Sequence, residues 1–204
     1  AGLLQSCLHM NGTMIRTITD FGDLAILLPL VAVVTAWLIA LRQPRTVLWW
    51  LGAVAICMST TAVLKIYFYA CPPLTDLHSP SGHTSLSTLV YGALTLAVAM
   101  IVSGWKRAAV LMAGVAFIAA IGVSRILVLA HSVPEVVLGS LIGIGALALF
   151  AYRFWPRRPS EPRVQAMLIT SMALMVMLNG QELRAEGLFQ AVGLYLKHAG
   201  MACF

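Results

Sequence analysis

Charge is what this chain has least of. Of its 204 residues 10 % are charged and 60 % are hydrophobic, whereas an ordinary soluble domain carries about 25 % charge. A soluble globular domain is thereby excluded, and an integral membrane protein is indicated. Cysteine is also scarce. Cys7, Cys57, Cys71 and Cys203 show no CxxC and no Cys/His metal spacing. Cys57 sits inside an apolar run and reads as an inert core thiol. Spacing gives no support for a disulfide among the other three. No low-complexity tract and no fixed-period repeat is present. Asp20 and Asp23 precede the first long apolar run, where a signal peptide would want a basic flank, so no targeting signal is expected.

What is present is membrane-length apolar sequence. A spanning helix needs about 20 mostly apolar residues. Five segments qualify: Leu24–Leu41, Thr46–Leu64, Thr84–Ser103, Ala108–Val123 and Glu135–Phe154. A sixth, Val164–Leu178, is short and carries Gln165, so it either spans or half-inserts. Residues 1–20 alternate Leu4, Leu8, Ile15 and Ile18 with Gln5, His9, Asn11 and Arg16, which predicts an interfacial amphipathic helix. Residues 183–204 look similar, with Leu188, Val192 and Tyr195 opposite Gln190, Lys197 and His198. The linker "WPRRPSEPR", residues 155–163, ends the fifth span. The expected fold is all-α: an integral membrane helical bundle of five to six transmembrane helices with interfacial helices at both termini. Its core is residues 21–155, followed by a linker, the sixth segment and a C-terminal amphipathic stretch over 156–204. "GSLIGIG" places Gly139 and Gly143 at the spacing that lets helix backbones approach, and ordinary helix packing is expected there.

The net charge of +6 first suggests nucleic acid, but the distribution of the basic residues argues otherwise. Arg42, Arg45, Lys106, Arg107, Arg153, Arg157, Arg158 and Arg163 fall on one side of the membrane. Arg16, Lys65 and Arg125 fall on the other, joined by Arg184 and Lys197 if the sixth segment crosses. Basic short loops stay cytoplasmic, so the charge is a topology signal. The expected location is a bacterial inner membrane, multi-pass, with the second side facing the periplasm or exterior.

That second side carries the polar chemistry. Three short stretches open there: "LKIYFYACPPLTDLHSPSGH", "SRILVLAHSVPE" and "RTITDFGD". Lys65, Ser81, His83, Arg125, His131 and Glu135 converge on one membrane surface. The turn before His83 offers backbone amides at a helix N-terminus, where the dipole favours an anion. Arg125 presents a fork of donors suited to phosphate oxygens. His131 lies four residues before Glu135, so a helix already begun at His131 would set imidazole and carboxylate on one face. A histidine whose tautomer is fixed by a carboxylate keeps its other nitrogen for attack. Lys65, Arg125, Ser81 and the Gly82 amide could hold a phosphoryl group; His131 and His83 could supply nucleophile and acid. No metal-ligand cluster or cofactor motif is visible, and no cofactor is expected.

At these residues the sequence resembles the type 2 phosphatidic acid phosphatases, the PAP2 family of integral membrane lipid phosphatases. That family's motifs are K-x6-R-P, P-S-G-H and S-R-x5-H-x3-D. Lys65 with Pro73 matches the ends of the first. Pro80-Ser81-Gly82-His83 matches the whole second. Ser124-Arg125, His131 and Glu135 follow the third, with Glu135 where the family has Asp. Pro72 stands where the first motif has Arg, which removes a phosphate ligand worth on the order of 3 kcal/mol; His78 and Arg16 are candidates to replace it. The resemblance implies that His131 attacks phosphorus to form a phosphohistidine, Glu135 orients it and His83 protonates the leaving group. It also implies that Lys65, Ser81, Gly82 and Arg125 hold the oxygens, with no metal. The expected activity is hydrolysis of a phosphomonoester or pyrophosphate of a membrane lipid. Candidates are a polyprenyl pyrophosphate, phosphatidylglycerol phosphate, phosphatidic acid or a lipid A-like glycolipid. The expected partners are that substrate and membrane lipids, with no nucleic acid. Two alternatives stay open: a lipid phosphotransferase using the same intermediate, and a catalytically decayed protein that binds lipid headgroups.

Overall fold

The computed structural model describes residues 14–71, 79–154, 161–181, 183 and 186–199, and all regular structure among them is helical. The chain runs through α1 (Met14–Asp20), α2 (Leu24–Ala40), α3 (Pro44–Ala70), α4 (Gly82–Ile101), α5 (Gly104–Leu127), α6 (Val133–Phe154), α7 (Glu161–Leu178) and α8 (Glu186–His198). Residues 1–13 of the expected interfacial helix, residues 72–78 with Pro72 and His78, residues 155–160 of the linker, and residues 184–185 and 200–204 of the expected C-terminal amphipathic stretch lie outside the described residues.

Four helices are long and apolar enough to cross a membrane: α3, α4, α5 and α6. A fifth span results if α1 and α2, bent 44° at their junction, count as one. The protein is therefore a helical membrane bundle. α7 falls outside that set by composition, yet α6 runs away from the site end and the Leu183 amide bonds to Asp23 back at that end. α7 is the element that returns the chain.

Local chemistry sets the helix ends. Pro44 opens α3 at its first turn, where a missing N–H costs nothing. α3 then continues for 27 residues, past the apolar run ending at Leu64, so Lys65 and Tyr69 ride on a helix. Asp23 caps α2, its Oδ1 accepting from the Ala25 amide at 2.8 Å. Ser81 caps α4. Arg107, at the start of α5, donates to Ala99 and Val102 carbonyls at 2.9 and 3.2 Å and closes the far end of α4.

α4 is the buried centre, packed against α2, α3, α5 and α6. Leu86, Leu89 and Val90 meet Ile26 and Leu30 of α2 in one apolar cluster, with Trp50 of α3 stacked edge-on against Phe150 of α6 at 5.1 Å. Cys57 is a free buried thiol within it, as expected. Large apolar side chains face outward instead, among them Trp105, Met112 and Val115 on α5 and Leu141 and Ile144 on α6. On a soluble protein such a surface would aggregate; against lipid tails it is the required covering.

Lipid is as apolar as leucine, so helix association there rests on close packing rather than on burial from water. Gly139 and Gly143 of α6 supply it. A Cβ on Gly139 would sit 2.5 Å from the Ser81 carbonyl oxygen, and one on Gly143 would strike the Ser85 carbonyl and Thr88. Both contacts lie at the start of α4. We expect Gly139→Ala to lower the melting temperature in detergent, by roughly 1–3 kcal/mol of stability, and to cost activity by displacing His83. Gly145→Ala, which meets nothing within 4 Å, is expected to leave the melting temperature within error. Thermal unfolding of the two variants side by side checks the pair.

Candidate active site

α3 and α5 end on the side where α4 and α6 begin, and the α1–α2 turn opens there too. The junctions are tied by backbone bonds. The Ser81 amide donates to the Glu135 carbonyl at 3.0 Å, joining the starts of α4 and α6. α5 ends in a turn in which Leu129 takes φ 56°, a left-handed conformation costing roughly 1–2 kcal/mol for a side-chain-bearing residue. That turn lets the Ala130 and His131 amides both donate to the Arg125 carbonyl, at 3.1 and 3.2 Å. Arg125 and His131 are thereby locked to one another.

Glu135 organises the centre. Its Oε2 lies 2.9 Å from His131 Nδ1 and accepts from the Ser132 amide at 3.0 Å. Its Oε1 accepts from the Ser79 amide at 2.6 Å. Because a carboxylate only accepts, Nδ1 carries the proton and Nε2 keeps its lone pair. His131 itself precedes α6, which starts at Val133. The pair therefore forms by the carboxylate reaching back from the first helical turn, a different route from two residues on one helical face. Burial pushes the His131 imidazole below its ordinary range. Lys65 and Arg125 push the same way, against the opposing effect of Glu135.

Across from this pair, His83 Nε2 lies 3.4 Å from Asp23 Oδ2. Lys65 is buried, and its Nζ is 2.5 Å from Glu186 Oε2. The Tyr69 hydroxyl donates to the other Glu186 oxygen. Burial raises the Glu186 carboxyl, but the bonds from Lys65 and Tyr69 outweigh it and hold the group below the usual carboxylate range.

His131, His83, Glu135, Lys65, Gly82 and Arg125 all line one cavity of about 1020 Å³. Ser81 is not among the lining residues. It is fully buried, and its Oγ accepts from the Thr84 hydroxyl at 2.9 Å as the α4 cap. Arg16, a candidate for the missing arginine, is exposed on α1 and does not line the cavity; His78, the other, lies outside the described residues. Sequence reasoning missed Asp23, Tyr69 and Glu186. For Asp23 a signal existed: an acid in "RTITDFGD", one of the three stretches opening on the site side. Glu186 had only the start of an amphipathic helix to mark it.

The PAP2 superfamily profile matches residues 66–160, a stretch holding His83, Arg125, His131 and Glu135. This stretch of the chain belongs to the PAP2 superfamily. A Klebsiella pneumoniae protein described as "Uncharacterized 22.5 kDa protein in cps region" is 32 % identical over 140 residues. The match covers 66 % of this chain and 66 % of that protein's length. No solved structure matches. PAP2 membership supports a phosphatase-type activity on phosphate esters. Asp23 and Glu186 lie outside the matched stretch, so part of the cavity is built by the segments that flank it.

Proposed function

We propose that this protein is a membrane-embedded lipid phosphatase working through a phosphohistidine. The observation that carries the reading is the His131–Glu135 pair at 2.9 Å beside a cavity that also holds His83, Lys65 and Arg125. His131 Nε2 attacks phosphorus. Its Nδ1 proton stays with the Glu135 hydrogen bond, which spreads the charge that develops on the ring. His83 gives a proton to the leaving oxygen, and water then attacks the phosphohistidine with His83 as base. Lys65, Arg125 and the Gly82 amide at the start of α4 meet the charge on the phosphoryl oxygens. Ser81 contributes by fixing that helix start. The catalytic core is residues 21–155, with the C-terminal segment completing the cavity wall.

Candidate substrates are phosphatidic acid, phosphatidylglycerol phosphate, a polyprenyl pyrophosphate and a lipid A-like phosphate. The site side carries fewer basic residues than the opposite side, which supports a periplasmic or exterior site on a bacterial inner membrane. Cys71, at the site end of α3, is disulfide-bonded, which fits an oxidising compartment.

The test is phosphate release from those lipids by the purified full chain in detergent with a chelator present. Release from none of them would end the reading. The pH profile adds a second check. Protonation of His131 removes the nucleophile, and its lowered pKa keeps the neutral form as pH falls through about 6.5. The acid limb of kcat/KM is therefore expected below pH 6.5; an acid limb above it would contradict the buried-nucleophile assignment.

A further inference from the structure

Among the carboxylates that enter the phosphate cavity from outside the matched segment, Glu186 comes from its C-terminal side. Glu186, the first residue of α8, lies 2.5 Å from the buried ammonium of Lys65 and also takes the Tyr69 hydroxyl. α8 is firmly seated on α3. A Cβ on Gly193 would lie 2.6 Å from Tyr69 Cβ and 3.0 Å from the Ile66 carbonyl, so the two backbones meet without a side chain between them. The approach to α8 is anchored as well, since the Leu183 amide donates to Asp23 Oδ1 at 2.9 Å. Glu186 is thus a built part of the wall.

Its effect is on charge. Among the described lining residues, the cations Lys65 and Arg125 face the carboxylates of Asp20, Asp23, Glu135 and Glu186. Glu186 sits on the phosphoryl side, sharing Lys65 with any bound phosphate. Asp23 sits beside His83, where the leaving oxygen must lie. A phosphomonoester places two charges near Lys65 and Arg125 and an uncharged alcohol beside His83. A diphosphate places a second phosphate beside Asp23, and repulsion from Glu186, whose half-exposed side chain is partly screened by solvent, grows with each added ligand charge.

We propose that Glu186 is a specificity-determining residue that, together with Asp23, makes the site select phosphomonoesters over diphosphates. The assignment rests on the phosphatase reading and narrows its substrate class.

The experiment compares a prenyl monophosphate with the diphosphate of the same chain length, using the full chain in detergent, and also binding of inorganic phosphate against pyrophosphate by calorimetry. The wild type is expected to favour the monophosphate at least tenfold in kcat/KM and to bind phosphate more tightly than pyrophosphate. Glu186→Gln should narrow both ratios at least fivefold, mainly through the diphosphate KM, while Glu186→Asp should keep them within twofold. A wild type that prefers the diphosphate and pyrophosphate, or ratios that do not change in Glu186→Gln, would overturn the proposal. Absence of turnover on both lipids would remove prenyl phosphates from the candidate substrates of the phosphatase reading, and the binding ratios would still decide the selectivity.

Discussion

His131→Ala is expected to reduce phosphate release by roughly 10⁴-fold or more, the scale lost when a covalent nucleophile is removed. The ring is the attacking group in the proposed mechanism, and no neighbour can stand in for it. His83 lies with Asp23 on a different part of the wall, and the Lys65 ammonium is held by Glu186. The substitution leaves a small cavity beside Glu135, whose carboxylate keeps the Ser79 and Ser132 amides. The ends of α4 and α6 therefore stay joined, and folding should survive with a melting temperature close to wild type. Binding should survive too, because Lys65 and Arg125 remain. The signature is a collapse in kcat with little change in the affinity for inorganic phosphate. Brief reaction of wild type with a radiolabelled lipid, quenched in alkali, should trap label on the protein, and His131→Ala should trap none. Release within tenfold of wild type, or undiminished trapping, would move the nucleophile elsewhere.

Much of this site was legible in the sequence because it is written in short local words. "PSGH" and the Arg125–His131–Glu135 spacing each sit at a helix end, and the alternation of apolar runs fixes which ends share a side. That logic groups Lys65, His83, Arg125 and His131, which all line one cavity. It stopped at what depends on distant segments. Glu186 reaches Lys65 across 121 residues, and Asp23 meets both His83 and the amide of Leu183, 160 residues on. No periodicity encodes such meetings, since they follow from how α2 and α8 pack. Ser81 illustrates a different limit. A serine before a helix is equally good as a hydrogen-bond donor to phosphate and as a cap, and the structure shows its oxygen buried under α6 and accepting from the Thr84 amide and hydroxyl. Hydropathy likewise placed the end of the second span at Leu64, although the helix runs on to Ala70. The window measures greasiness, whereas α3 is extended by its contacts with α8 at the site end.

Glu135→Gln should be nearly as damaging as loss of the nucleophile, for a reason visible in its hydrogen bonds. The carboxylate accepts three donors: the Ser79 amide on one oxygen, and the Ser132 amide with His131 Nδ1 on the other. A glutamine has one acceptor end. If its NH₂ replaces Oε1, it faces the Ser79 N–H, donor against donor. If it replaces Oε2, it faces the Ser132 N–H and donates to Nδ1, which forces the proton onto Nε2 and blocks the attacking lone pair. The second orientation strands one main-chain donor as the first does, so neither is favoured by hydrogen bonding alone. Whichever is adopted, a buried donor goes unpaired at about 1–3 kcal/mol. In both, the imidazolium loses its counter-charge. Where an amide replaces the orienting carboxylate of a catalytic histidine, the loss is about 10⁴-fold in kcat through the wrong tautomer, and a loss of roughly 10³–10⁴-fold is expected here. Glu135→Asp keeps the charge but is one methylene shorter, so it cannot span from Ser79 to His131 without a shift of α6. A loss of about tenfold, with the trapped phosphoprotein still detectable, would show the charge doing the orienting; equal damage in both variants would show instead that Glu135 acts only by holding the loops together.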